Sequence, residues 1–165
     1  IELLHPTDLP RFRELGVVAS MQPLHATRPE RNYFLYWAEV VGRRRWRDAF
    51  PTRELHAAGA PLVFGSDWPI VSMDPFRGLE AAANRQPWAE SLPGQALPLA
   101  DVLTAYTRTP AWVEFQEEAK GQLRPGMLAD LVLLDRDLFR LEGEALATAR
   151  PVLTVCDGRA VYDRV

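Results

Sequence analysis

The sequence has one cysteine and three histidines among its 165 residues. A lone thiol, Cys156, excludes an internal disulfide and any cysteine-built metal site, and it suits a reducing cytoplasm. The histidines lie in Leu4-His5-Pro6, Leu24-His25-Ala26 and Leu55-His56-Ala57, so there is no His-x-His pair. No apolar run reaches the roughly 20 residues that span a bilayer. Glycine-rich phosphate loops and serine nucleophile elbows are absent as well. A net charge of -3 gives no field that would draw nucleic acid or an anionic membrane. No signal-peptide pattern is visible, but the chain opens on Ile1, not methionine. The expectation is therefore that the polypeptide starts upstream, with a removed leader left open.

What is present is the composition of an ordinary soluble globular protein, with 47% hydrophobic and 25% charged residues. The one basic cluster, Arg43-Arg44-Arg45 with Arg47, is interrupted by Trp46 and balanced by Glu39 and Asp48, and reads as a solvated helix face. Two textures follow along the chain. Up to about residue 118, short apolar runs alternate with amphipathic segments. Val17 to Met21 and Leu62 to Gly65 read as strands, and the spacing predicts a helix within Arg44 to Ala58, with Pro51 in its first turn and Gly59 ending it. Helices are expected around Arg77 to Arg85, from Leu99 to Thr107 and from Ala111 to Glu118, the last two separated by Pro110. This rhythm is that of a parallel α/β structure. After Lys120 the chain turns mostly to β. A strand is expected over Ala129 to Asp135, and a hairpin joins Val152–Cys156 to Ala160–Tyr162 around Asp157-Gly158.

The segment Gly65-Ser66-Asp67-Trp68-Pro69 follows the apolar run Leu62 to Phe64 directly. A carboxylate at the C-terminal end of a buried parallel strand can bind a divalent metal and can take a proton from attacking water. The same residues also suit a simple turn cap, and spacing alone does not separate the two. His25 lies just past Pro23 and can face the same strand-end cleft, although a lone loop histidine is more often structural. His5 reads as peripheral and His56 as a residue of a helix away from any strand end. Arg85 reads as an exposed helix arginine.

Several segments together resemble the amidohydrolase family 3 group, which includes N-substituted formamide deformylases. They are Leu4-His5-Pro6-Thr7-Asp8-Leu9-Pro10, Gly16 to Ala26 with Met21-Gln22-Pro23, Gly65 to Pro69, Leu103 to Thr107, and Gly121-x-Leu-x-Pro125-Gly126-x-x-Ala129-Asp130-Leu131. The resemblance implies the C-terminal part of a TIM-type (β/α)8 barrel, about strands six or seven to eight, over 1–118. Residues 119–165 would then form the C-terminal half of a composite β-sandwich. It further implies a metal-dependent hydrolase of non-peptide carbon–nitrogen bonds, an amidase in the broad sense. Asp67 becomes both metal ligand and catalytic proton acceptor, zinc the expected metal, and an amide-type small molecule the substrate. Gln22, His25 and Trp68 would contact that substrate at the barrel mouth.

The chain departs from the family's pattern in one respect. The family's remaining metal ligands lie on strands one, four, five and six, and the histidine expected directly after Ile1-Glu2 is missing, as if about three residues had been lost before the Leu4-His5-Pro6 segment. The metal site is thus incomplete in this chain. It is expected to be a fragment, inactive alone, that associates with the remainder of its barrel or forms a homo-oligomer. The alternatives are a non-catalytic remnant serving as a scaffolding half-domain, and a metal-independent ligand-binding barrel.

Overall fold

The computed structural model describes residues 1–27 and 35–164. Two short strands, β1 (Ala19–Met21) and β2 (Leu62–Phe64), pair in parallel with Ala19 opposite Leu62 and Met21 opposite Phe64. Parallel neighbours need a long crossover, and here it runs through α2 (Leu35–Val41), a 3-10 segment (Arg43–Asp48) and α3 (Thr52–Ala57). Ala19, Met21, Leu62 and Phe64 are buried, while Ser20 is exposed between its buried neighbours. Upstream lies α1 (Leu9–Glu14), entered from a 3-10 turn over Pro6–Asp8.

The stretch Arg44 to Ala58 is not one helix. Ala49 and Phe50 leave helical geometry because they pair with the chain start: Leu3 bridges Ala49 antiparallel, and the Phe50 N–H donates to the Glu2 carbonyl at 2.8 Å. Helix resumes only after Pro51. Ile1-Glu2, expected at the end of a strand, forms this antiparallel edge and no parallel strand beside β1.

Past β2, α4 (Pro75–Ala83) starts where the Asp74 carboxylate accepts the Phe76 N–H at 3.0 Å and Pro75 needs no donor. It buries Phe76, Leu79 and Ala82 at helical spacing. Next come α5 (Leu99–Tyr106) and α6 (Arg108–Val113). Pro110 does not separate these two helices, as expected, but lies inside the first turn of α6, where its missing N–H leaves no helical bond unmade.

The last third forms an antiparallel sheet in the order β3 (Leu131–Leu134), β4 (Pro151–Cys156), β5 (Arg159–Asp163). The β4–β5 turn places Asp157 at φ 49° and Gly158 at φ 73°, the paired left-handed positions that an Asp-Gly turn supplies. Between β3 and β4 two 3-10 segments, Leu138–Arg140 and Gly143–Thr148, return to α4. Leu138, Leu146 and Ala149 join the same buried cluster as β1 and β2, and Asn84 Nδ2 donates to the Gly143 carbonyl at 2.9 Å. No helix among the described residues is long and apolar enough to cross a membrane.

Candidate functional site at the strand ends

Both strands of the parallel pair end at the same level. The Gly65 N–H donates to the Met21 carbonyl at 3.2 Å, so the Gln22–Ala26 turn and the Gly65–Pro69 loop leave the sheet side by side. In the second loop Asp67 takes a left-handed conformation, φ 59°, and its carbonyl accepts the Ile70 N–H at 2.9 Å. A non-glycine residue there is uncommon, and aspartate tolerates it better than most. The fold thus turns the chain back directly after the strand and leaves the Asp67 side chain 57% exposed. Ser66 Oγ accepts the Trp68 N–H at 3.2 Å, and the Trp68–Pro69 peptide is cis.

The first loop is a 3-10 turn over Pro23–Ala26, with Pro23 at its start and the His25 N–H donating to the Gln22 carbonyl at 3.0 Å. Trp88 clamps this turn from behind, its buried indole N–H donating to the Ala26 carbonyl at 3.0 Å. Trp88 is itself held edge-on by Trp37, Trp46 and Phe50, at ring separations of 5.5–5.9 Å. His25 is consequently only 4% exposed, and its Nε2 faces Asp67 Oδ2 at 4.0 Å. Burial pushes the His25 pKa down, and the nearby carboxylates of Asp67 and Glu2 oppose that shift without overcoming it.

Of the residues singled out in the sequence, His25 and Asp67 meet side chain to side chain. Gln22 is half-buried at the root of the same turn, and Trp68 stands 62% exposed beside Asp67. His5 caps the first turn on the surface, and His56 sits on the exposed face of α3 with Nε2 3.7 Å from Asp101 Oδ2. Sequence reasoning did not see that Glu2 lies close enough to act on His25. It also placed Arg85 in solvent. Instead, Arg85 is part-buried past the end of α4, donating to the carbonyls of Phe50 and Ala49. Its burial pulls the guanidinium pKa down to about 10. A cavity of about 880 Å³, lined by Thr27, Ser72, Arg77, Glu80 and Glu144 among others, includes neither Asp67 nor His25.

Chemically, one accessible carboxylate backed by one buried imidazole can accept a proton and can contribute to a cation site. Among the described residues no group of three or more His, Cys, Asp or Glu side chains could hold a metal ion. A catalytic zinc needs about three protein ligands and an open position. These residues alone do not fit one.

The model of the amidohydrolase family matches residues 1–162. The chain belongs to that family. Among its relatives, "Protein LONG AFTER FAR-RED 3" of Arabidopsis thaliana is 29% identical over 163 residues, covering 96% of this chain and 27% of the relative. The N-substituted formamide deformylase of Arthrobacter pascens is 27% identical over 135 residues, covering 78% of this chain and 25% of the relative. An uncharacterized metal-dependent hydrolase from Pyrococcus horikoshii OT3 superposes with a TM-score of 0.68 at 30% identity, covering 82% of this chain and 28% of that one. The chain spans about a quarter of the length of these relatives.

Proposed function

We propose that this chain is the C-terminal part of a metal-dependent hydrolase that cleaves amide-type, non-peptide carbon–nitrogen bonds. The observation that carries the reading is the placement of Asp67, exposed at the C-terminal end of a parallel strand and backed by a buried histidine. In (β/α)8 enzymes that end of the strands holds the catalytic groups. On this reading β1 and β2 are the last two strands of such a barrel, residues 1–118 belong to it, and 119–165 form half of a β-sandwich. The family match and the names borne by the deformylase and the Pyrococcus hydrolase support the reaction class.

Asp67 accepts the proton of the attacking water, Gln22 and Trp68 border the substrate, and the buried His25 lines the wall behind the carboxylate. Asp67 would hold a divalent ion, zinc by preference, whose chemistry there would be to acidify the water. Asp67 offers it one ligand, so the other ligands come from outside this sequence, in the remainder of the barrel. The working unit is then the full-length protein or a homo-oligomer, in the cytoplasm.

The experiment is the Asp67→Asn variant of the full-length protein assayed on N-substituted formamides, with metal content measured alongside. We expect kcat to fall by about 10²–10⁴-fold. Undiminished hydrolysis would remove Asp67 from the mechanism. A second reading, a non-catalytic half-domain that binds a partner through its open strand edges, is favoured by the lack of a three-ligand cluster among the described residues. A full-length protein with no bound metal and no hydrolase activity would select it.

A further inference from the structure

A proton acceptor works only if its carboxylate points the right way, and more than half of the Asp67 side chain is in solvent. Ser66 and Trp68 bond to each other, not to that carboxylate. Among the described residues, His25 is a polar side chain placed against it, and three features fix the turn that carries its ring. Pro23 opens its turn, the Thr27 hydroxyl donates to the Leu24 carbonyl at 3.2 Å, and Trp88 holds the carbonyl of Ala26. An imidazole protonated on Nε2 is a donor aimed at Asp67 Oδ2. The 4.0 Å gap closes to a hydrogen bond with a movement of about 1 Å, within reach of a side chain that is more than half exposed.

We propose that His25 is a positioning residue whose Nε2–H holds one oxygen of the Asp67 carboxylate, so that the other oxygen is presented to the reacting water. This rests on Asp67 being the proton acceptor. It gives His25 a role distinct from substrate contact, and one its 4% exposure suits better. Metal-site histidines and carboxylates are commonly oriented by such outer partners, whose loss costs about 10–100-fold.

Two measurements on the full-length protein test it. In histidine-ring ¹⁵N spectra, the His25 signals are assigned by their loss in His25→Gln. The ring should be protonated at Nε2, and Asp67→Asn should shift that nitrogen. A proton on Nδ1, or an Nε2 signal indifferent to Asp67→Asn, overturns the proposal. The second is kinetic, with formanilide and N-butylformamide as probes. His25→Gln can place an amide nitrogen near the Nε2 position, whereas His25→Asn reaches only as far as Nδ1. We expect His25→Asn to lower kcat about 10–100-fold at unchanged KM, and His25→Gln to recover most of it. Equal losses in the two variants, or a change confined to KM, overturn the proposal. If Asp67→Asn hydrolyses normally while the ring signal still moves, the contact stands and it is the catalytic reading of Asp67 that fails.

Discussion

Tyr106 shows how much a single side chain does here. Its ring packs edge-on against Phe64 of β2 at 5.5 Å, beneath the strand that delivers Asp67. Burial pushes its phenol pKa up from 10.0 to about 12. A group whose pKa is raised on folding stabilises the fold fully below its unfolded value, and that contribution disappears as pH rises through the folded value. Denaturant melts should therefore show stability falling between about pH 10 and 12, by roughly 2–3 kcal/mol for this group. Tyr106→Phe should flatten that slope; an unchanged slope would mean the phenol is not shielded. Arg85 works at the same scale. It was legible as a cation but not as a part-buried one, because its partners are backbone carbonyls of Ala49 and Phe50, which no residue pattern announces. One of them belongs to Phe50, held at φ 46°.

At the scale of elements, the contact between α4 and α5 depends on a missing side chain. A Cβ on Gly78 would collide with the Tyr106 hydroxyl oxygen, so the two helices approach as closely as they do only because position 78 is glycine. Gly78→Ala has the better helix propensity, yet it should cost about 1–3 kcal/mol of stability through overpacking. Thermal melts of Gly78→Ala alone and combined with Tyr106→Phe check this, since removing the hydroxyl should restore part of the loss. The elements themselves were readable where their signals were local. The Asp157-Gly158 turn and the apolar runs of β1 and β2 stand as the residues suggested, and the helix expected around Arg77 to Arg85 is present but starts two residues earlier, at Pro75. The failures came from non-local pairing. Arg44 to Ala58 has helical spacing, but the edge formed by Glu2 and Leu3 captures Ala49 and Phe50. In the site, Asp67 was legible from its place after a strand. His25 was expected at the same cleft, but its burial with Nε2 4.0 Å from Asp67 Oδ2 was not, because that depends on how the two strand ends align in space.

For the whole molecule, coverage of about a quarter of its relatives and exposed strand edges make the same point. Among the described residues β1 and β2 pair only with each other, and all of β5 is exposed on the outer edge of its sheet. Unpaired edges invite association. On the reading that this chain is part of a longer barrel, the 165-residue polypeptide produced by itself should self-associate in light scattering and melt without a sharp transition, whereas the full-length protein should be monodisperse. A monodisperse monomer of the short chain with a cooperative melt would show that these edges need no partner.

The Trp88 indole that clamps the turn of His25 is also an optical gauge. Buried beside Trp37 and Trp46, with its N–H committed to the Ala26 carbonyl, it emits from a dry, hydrogen-bonded setting that ends when the turn lifts. Intrinsic fluorescence thus reports on the wall behind Asp67, and an emission shift that precedes global unfolding would mark the site opening before the fold is lost.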